Sequence, residues 1–443
     1  MRINWNGVNA SFKIYRNILL NLVIKLLFIS TLLLMPYDAI RIMPTIYKPI
    51  CLIPACLLFL ILVPKILACR LDKASILLIV FCIFSFVSTF INDMFNSFYN
   101  FMDYFFSVTL LFCSFFSINY IFKNMKKKMS TDDYKFFFYK VIAVAYILPT
   151  IIGVIDVLAV YGFFPFYIKK TICLIFGGNQ LDRVTGVSFE SSWLMCHLII
   201  SFCVYLYMYK MTRLKKYFIF LMCNIFVFFA ALSLQGFMFI IIGVILYLLF
   251  NIRKVSKNTF IIIFIFGIAC LVTLLIINQI DSDVYYIVRI KQFVSISQLF
   301  RTDLSTFVRT GYPLISIIMF IRNPILGIGG SNFGMHLGSY IDEFFPWALY
   351  FYGDSNNEVF YTVMSNSGNP KCFYTRVFCE FGFIAGVSIV LFLICIFRNK
   401  KVDKISSFYT IFILTFLLQF DSLCYALLIL YAAFYNNIEK KQK

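Results

Sequence analysis

Twelve apolar stretches follow one another along the chain, separated mostly by short polar gaps. A helix that crosses the ~30 Å hydrocarbon core of a membrane takes about 20 such residues. The stretches cover residues 18–35, 46–63, 74–91, 104–122, 141–161, 190–209, 217–233, 236–250, 259–278, 377–397, 405–419 and 422–435. The pattern predicts an all-α polytopic membrane protein, with residues 1–443 forming a single integral membrane domain of about 12 transmembrane helices.

Lysine and arginine concentrate in every second gap between these stretches. The even-numbered gaps and both termini hold 27 of the 39 Lys and Arg residues, counting Lys25 within the first stretch, and 5 of the 20 Asp and Glu residues. Basic loops remain on the cytoplasmic side of a membrane, so we predict that both termini are cytoplasmic. The net charge of +19 then divides into +22 on the cytoplasmic face and −3 on the outer face.

Composition excludes an ordinary soluble domain, because 62% of the residues are hydrophobic and only 13% are charged. The basic charge lies in short turns beside the membrane, where topology and contact with anionic lipid account for it. We therefore expect membrane lipid, and no nucleic acid, as a partner. The cysteines and histidines lack the spacing of a metal site, so we expect no metal and no cofactor.

Two long outer segments interrupt the series of apolar stretches. The first, residues 162–189, is expected to contain a short interfacial helix. The second, residues 279–376, follows the ninth helix, and loops of this length are usually functional. Within it, residues 312–321 are apolar but too few to span a membrane, which predicts an interfacial or re-entrant helix. Residues 353–370 are polar and rich in turn formers, which favours a mobile lid.

Ionisable residues near the outer face are the candidates for chemistry, because burying a charge at membrane depth is costly. Glu190 and Glu380 each occur where an outer loop meets an apolar stretch, so we expect them to face one outer cavity. The alternative is that each caps a helix or pairs with an arginine. His336, flanked by glycines, is a further candidate base, whereas His197 is predicted to be a packed core residue.

The outer arginines indicate a site for a large anion. A guanidinium group holds phosphate through two hydrogen bonds and keeps its charge in any environment. A lipid pyrophosphate fits, because it enters from the bilayer and presents its charge at the interface. The candidates for binding it are Arg183, Arg301, Arg309 and Arg322. The alternative, which applies in particular to Arg289 and Arg376, is that the outer arginines anchor helix ends at the membrane surface.

Four segments carry a further pattern. They are residues 183–193 (RVTGVSFESSW), 233–236 (SLQG), 320–330 (FIRNPILGIGG) and 373–386 (FYTRVFCEFGFIAG). In order and in position relative to the large loop, they resemble the motifs R-x-x-G-x-F-x-E-P-S, S-x-x-G, F-x-x-x-P-x-x-G-x-G and E-x-G-x-x-G of O-antigen polymerases (Wzy type). The sequence departs from the family at Ser191, where many relatives have proline. Where the related O-antigen ligases have a His-Asn pair, it has Lys371 and Cys372, which favours a polymerase over a ligase.

The resemblance implies a GT-C-like glycosyltransferase in the inner (cytoplasmic) membrane of a bacterium, with its active site facing the periplasm. It implies polymerisation of undecaprenyl-pyrophosphate-linked repeat units into O-antigen by inverting, metal-independent glycosyl transfer. Arg183 and Arg309, with Arg301 and Arg322 as alternates, would bind pyrophosphate. Glu190 or Glu380, with His336 as runner-up, would orient or deprotonate the acceptor hydroxyl.

A flippase and a chain-length regulator are the protein partners that this resemblance implies. Three other activities remain open from the sequence. They are an O-antigen ligase, a polymerase of capsule or exopolysaccharide, and a flippase or transporter of lipid-linked oligosaccharides. A hydrolase and a nucleotide-driven enzyme are disfavoured, because the sequence contains none of the motifs typical of them.

Overall fold

The fold was examined in a computed structural model of the chain. The structure describes residues 5–43, 46–93, 97–231, 233–251, 304–348, 358–366, 368–397 and 404–438. Of the described residues, 79% are helical, which places the protein in the all-α class. The helices of the described residues are α1 (Trp5–Leu33), α2 (Leu52–Leu67), α3 (Lys73–Asp93), α4 (Phe98–Lys128), α5 (Thr131–Val160), α6 (Phe166–Phe176), α7 (Ser191–Thr212), α8 (Lys215–Ala231), α9 (Leu234–Asn251), α10 (Leu304–Arg322), α11 (Phe333–Phe344), α12 (Glu358–Met364), α13 (Phe373–Phe397), α14 (Lys404–Phe416) and α15 (Ala426–Asn436).

Eleven of the twelve apolar stretches coincide with helices, and the ninth, 259–278, lies outside the described residues. Among the described helices, α3, α4, α5, α7 and α13 are long and apolar enough to cross a membrane. Helices α8 and α9 pass the same test together and meet at a bend of 120°. The apolar helical parts of α1, α2, α14 and α15 are shorter. The protein is therefore a membrane-embedded helical bundle.

The second apolar stretch does not begin as a helix, contrary to prediction. Strands β1 (Arg41–Met43) and β2 (Ile46–Pro49) form an antiparallel hairpin, and α2 starts only at Leu52. Pro49 explains the late start in part, because the residue before a proline is disfavoured in helical conformation. The hairpin carries Lys48, which belongs to β2 and is buried against α4.

Helix α15 lies at the centre of the bundle, although it has only 11 residues. Its residues 426–435 are all buried, which is possible because nearly every side chain along it is apolar or aromatic. The Phe434 ring stacks on Phe138 of α5 with centroids 3.8 Å apart. The hydroxyls of Tyr431 and Tyr435 donate to the Ser406 carbonyl of α14. Aromatic packing and these hydrogen bonds tie α5, α14 and α15 together.

The two long segments that were predicted to lie on the outer side contain helices of their own. Residues 162–189 include α6, which ends at Gly177 with a φ of 76°. The described part of residues 279–376 includes α10, α11 and α12. The apolar stretch 312–321 lies within α10, and α12 lies within the segment expected to form a lid. Residues 353–357 and 367 of that segment lie outside the described residues.

Candidate functional site

A cavity of about 640 Å³ lies where the long segments 162–189 and 279–376 meet the helical bundle. Its lining is predominantly polar and combines charged, amide and aromatic side chains. The charged lining residues are Lys48, Asp103, Glu190, Arg309, Lys371, Arg376 and Asp421. The cavity is large enough for a small organic ligand and carries groups of both signs, as sites for charged, polar substrates do.

The four segments quoted above for the family resemblance all contribute to this cavity or to its support. Glu190 and Trp193 line it from the start of α7, and Gln235 lines it from the start of α9. Ser331 follows directly after the Gly-rich segment 320–330, and Arg376 lies in the first turn of α13. Segments separated by up to about two hundred residues in the chain therefore meet at one place.

Helix α13 is broken where the Gly-rich segment packs against it. Gly382 interrupts the helical conformation with φ 74° and ψ −173°, a region open essentially only to glycine. Backbone groups of α13 around the break form hydrogen bonds with the backbone of the Gly-rich segment. Ile328 N–H donates to the Cys379 carbonyl at 3.0 Å, Gly329 N–H to the Glu380 carbonyl at 2.9 Å, and Phe383 N–H to the Pro324 carbonyl at 2.8 Å. The break thus fixes residues 324–329 against α13.

An ion pair on the broken helix presents an arginine to the cavity. Arg376 Nε donates to Glu380 Oε2 at 2.9 Å, and Arg376 Nη1 donates to the Asp421 carbonyl at 2.9 Å. Asp421 Oδ2 in turn accepts the Lys371 N–H at 3.1 Å. Arg376 lines the cavity, whereas Glu380 is fully buried behind it. Glu380 therefore holds the guanidinium in place, which is the alternative that the sequence left open for this residue.

Glu190 faces the cavity directly. It occupies the N-cap position of α7, but its side chain makes no capping hydrogen bond. Instead, its Oε2 accepts a hydrogen bond from Ser192 Oγ at 3.2 Å. The N–H of Ser191, the first residue of α7, donates to Gln180 Oε1 at 3.2 Å. This contact fixes the start of the helix beside Glu190.

A buried ion pair holds the segment that carries Glu190. Asp156 of α5 and Lys169 of α6 are both completely buried, with Nζ 3.1 Å from Oδ2. The same carboxylate oxygen accepts the N–H groups of Thr185 and Gly186, both at 2.8 Å. Lys169 also donates to Thr185 Oγ1 at 2.9 Å. These contacts satisfy a charge that would otherwise be costly to bury, and they fix the course of residues 183–187.

The β-hairpin contributes a cation to the cavity. Lys48 Nζ lies 3.3 Å from Asp103 Oδ1 on α4 and also donates to Ser107 Oγ. Ser331 Oγ donates to Asp103 Oδ2 at 2.9 Å, which links α4 to the end of the Gly-rich segment. Sequence reasoning missed this pair because Lys48 lay inside a predicted helix. A lysine near the end of an apolar stretch was the available signal.

The predicted arginines are distributed differently from expectation. Arg309 of α10 lines the cavity, whereas Arg301 lies outside the described residues. Arg183 is part of the segment held by Asp156, is partly exposed, and does not contribute to the lining. Its Nε lies 3.9 Å from Asp182 Oδ2. Arg322 lies on the surface and does not reach the cavity.

Arg322 instead forms an exposed ion pair with Glu343 of α11. Its Nη1 donates to Glu343 Oε2 at 2.8 Å, and its guanidinium lies 5.0 Å and 5.1 Å from the ring centres of Tyr340 and Phe344. The hydrogen bonds from Arg322 lower the pKa of the Glu343 carboxyl. This geometry joins α10 to α11 and indicates a structural role.

The two histidines differ in their surroundings. His336 is exposed on α11, beside the lining residue Met335, and partial desolvation by nearby atoms lowers the pKa of its imidazole. His197 is buried, as expected. Its Nε2 lies 3.0 Å from Asp38 Oδ2, and its Nδ1 lies 2.8 Å from the Tyr146 hydroxyl. This side chain is fully engaged within the bundle.

No protein-family model and no curated protein matches the chain. Function is therefore inferred from the cavity itself. Glu190, Arg309 and Arg376 provide a carboxylate and two guanidinium groups around one space. Such a set suits a reaction in which an anion is held while a hydroxyl group is deprotonated.

Proposed function

We propose that the protein is a glycosyltransferase of the O-antigen polymerase type. It joins oligosaccharide repeat units carried on undecaprenyl pyrophosphate, at the periplasmic face of the inner membrane of a bacterium. The observation that carries the proposal is the meeting of the family-like segments around one cavity. Three of the segments supply the lining residues Glu190, Gln235 and Arg376. The fourth, residues 320–330, packs against α13 and leads directly into the lining residue Ser331.

The proposal includes the twelve-helix topology with both termini in the cytoplasm. In that topology the cavity-lining residues all come from the outer gaps or from the ends of the stretches beside them. The first gap contributes Lys48 at its edge, the third Asn100, the fifth Phe189 with Glu190 at its edge, the ninth Arg309 and the eleventh Asp421. This agreement supports the topology independently of the charge pattern, because the cavity is defined by packing.

The reaction transfers a glycan from its lipid carrier to an acceptor sugar. The acceptor hydroxyl attacks the anomeric carbon of the donor from the side opposite the pyrophosphate. A new glycosidic C–O bond forms, the bond between the anomeric carbon and the phosphate oxygen breaks, and the pyrophosphate leaves with the electron pair. Arg309 and Arg376, with Lys48 and Lys371 in the same lining, offset the negative charge of the leaving group.

Glu190 is the best placed of the three candidate bases. It lines the cavity, whereas Glu380 is engaged with Arg376 and His336 lies outside the lining. A carboxylate at this position accepts the proton that the acceptor hydroxyl loses as the new bond forms. The other carboxylates of the lining are already engaged: Asp103 pairs with Lys48, and Asp421 accepts the Lys371 N–H.

Deletion and reconstitution test the proposal. Deletion of the gene should leave the host with lipopolysaccharide that carries a single repeat unit, and the wild-type gene should restore long chains. Loss of all attached antigen would instead indicate a ligase. Purified protein in lipid nanodiscs should convert lipid-linked repeat units into a ladder of longer glycans on a gel. A flippase or transporter would form no ladder.

Variants refine the test. Glu190→Gln should abolish the ladder, because the amide cannot accept the proton. Arg309→Lys should fail nearly as fully as Arg309→Ala if the guanidinium makes a bidentate contact with phosphate. Glu343→Gln is the matched control, since this carboxylate is exposed and does not line the cavity. Long chains of normal length from the Glu190→Gln protein at normal abundance would contradict the assignment.

A further inference from the structure

Part of the cavity lining is aromatic and carries no charge. Phe189, Trp193 and Phe420 all line the cavity. The Trp193 ring centre lies 6.0 Å from that of Phe189 and 5.1 Å from that of Phe420, and Phe420 stacks on Tyr425 with centroids 5.1 Å apart. The rings are held by one another, so they form a preorganised apolar surface inside an otherwise polar cavity.

Two amide side chains lie in the same lining. Gln235 Nε2 donates to Gln419 Oε1 at 3.2 Å, and this contact links the start of α9 to the residue before Phe420. Gln235 Oε1 is buried and accepts no hydrogen bond from the described part of the chain. A buried acceptor left without a donor costs free energy. The arrangement therefore indicates a ligand that supplies a hydroxyl or amide donor at this point.

The combination of aromatic rings and amides favours a sugar as the ligand. A pyranose ring has an apolar face of C–H groups that packs on an aromatic ring, and hydroxyls around its edge that both donate and accept. A hydroxyl donating to Gln235 Oε1 and accepting from the Gln419 amide would satisfy both side chains. A lipid tail would leave Gln235 Oε1 without a donor, and the pyrophosphate of a lipid-linked sugar, which is esterified at both ends and fully ionised, has no donor for it either.

We propose that Phe189, Trp193, Phe420, Gln235 and Gln419 form a subsite for an uncharged pyranose ring of the glycan. The inference rests on the proposed function and assigns the parts of the substrate to different parts of the cavity. The sugar packs on Trp193, and the pyrophosphate lies against Arg309 and Arg376. Trp193 is three residues after Glu190 at the start of α7, so a sugar packed on Trp193 lies beside the carboxylate.

The fluorescence of Trp193 tests the subsite directly. The chain has three tryptophans, and the Trp5→Phe/Trp347→Phe variant retains Trp193 alone. The probe is the repeat-unit oligosaccharide of the host strain, released from its lipid carrier and free of phosphate. Its addition should change the Trp193 emission saturably. Gln235→Ala and Gln419→Ala should each weaken this binding about tenfold, as the loss of one or two hydrogen bonds predicts.

Farnesyl pyrophosphate serves as the complementary probe, because it carries the anion and a lipid tail without sugar. Arg309→Ala should weaken its binding while leaving that of the free oligosaccharide within about twofold, which is less than the loss of one net hydrogen bond. Glu343→Gln should change neither. All variants are compared at equal monodispersity in size-exclusion chromatography. An oligosaccharide that leaves Trp193 emission unchanged, or that binds the glutamine variants as tightly as wild type, overturns the subsite.

The outcomes separate this inference from the proposed function. A Trp5→Phe/Trp347→Phe protein that polymerises lipid-linked repeats but shows no Trp193 response to the free oligosaccharide refutes the subsite alone. A protein that binds the oligosaccharide through Gln235 and Gln419 but forms no ladder supports the subsite and refutes the polymerase assignment. Both readouts use the same purified protein, so differences in folding do not confuse them.

Discussion

Substitution of Gly382 by alanine should disrupt the break in α13 and, with it, the wall of the cavity. The residue has φ 74° and ψ −173°, and a Cβ atom added there would lie 2.1 Å from the Ile325 carbonyl oxygen. Backbone atoms of the Gly-rich segment cannot move aside without breaking their pairing with α13. The substitution therefore combines backbone strain with the loss of hydrogen bonds.

The expected cost follows from these two effects. A non-glycine residue in this region of φ and ψ costs about 1–3 kcal/mol. Displacement of the segment removes the three backbone hydrogen bonds made by Ile328, Gly329 and Phe383, each with a net contribution of about 1 kcal/mol. Gly382→Ala should therefore lower the free energy of unfolding by about 4–6 kcal/mol.

Gly162→Ala is the matched control, because Gly162 has a similar φ of 81° but no atom lies within 4 Å of the added Cβ. Its cost should be limited to the strain of the left-handed conformation, about 1–2 kcal/mol. Unfolding in mixed micelles of increasing SDS content, followed by circular dichroism, measures both values. If the proposed function is correct, Gly382→Ala should also abolish glycan polymerisation, since Arg376 and Glu380 lie beside the break. Equal costs for the two variants would refute the packing described around Gly382.

Three further outcomes are expected. Arg376→Ala should lower the free energy of unfolding by about 3–5 kcal/mol, because it leaves the buried Glu380 carboxylate unpaired, and the Arg376→Met/Glu380→Met variant should recover much of this loss. Lys169→Met should destabilise the protein by a similar amount, about 3–5 kcal/mol, and increase proteolysis after Arg183, since it removes the charge that balances Asp156. Arg322→Ala should lower the melting temperature only slightly at neutral pH. Because Arg322 lowers the pKa of Glu343 below its ordinary 4.5, even this difference should vanish as the pH falls through that lowered pKa.

The helical architecture was accessible from the sequence because it depends on local properties of the chain. A run of apolar residues about as long as a membrane is thick forms a helix wherever it occurs, since backbone groups in lipid must pair within the segment. The late start of α2 shows the limit of this rule. Hydropathy averaged over residues 46–63 did not register Pro49 or the short hairpin, because both act over only a few residues.

Part of the candidate site could also be predicted from the sequence, because position relative to the apolar stretches is a local property of the chain. Glu190 and Arg309 were predicted from their position near the outer face, and both line the cavity. Glu380 was predicted to face the cavity, but it is buried and accepts a hydrogen bond from Arg376, four residues earlier on the same helix. Arg376, and not Glu380, lines the cavity. The i, i+4 spacing on a helix was the signal that sequence reasoning left unused.

The sequence by itself determined where the helices form and which segments carry the family-like pattern, because both are properties of contiguous residues. Only the tertiary structure decided which charges act together. Lys48 contacts Asp103, which is 55 positions away, and the Gln235–Gln419 contact joins residues 184 positions apart. Such pairs depend on how helices pack, and one-dimensional patterns of hydropathy and charge contain no distance between segments. Which side chains line the cavity is therefore decided by the packing of the helices.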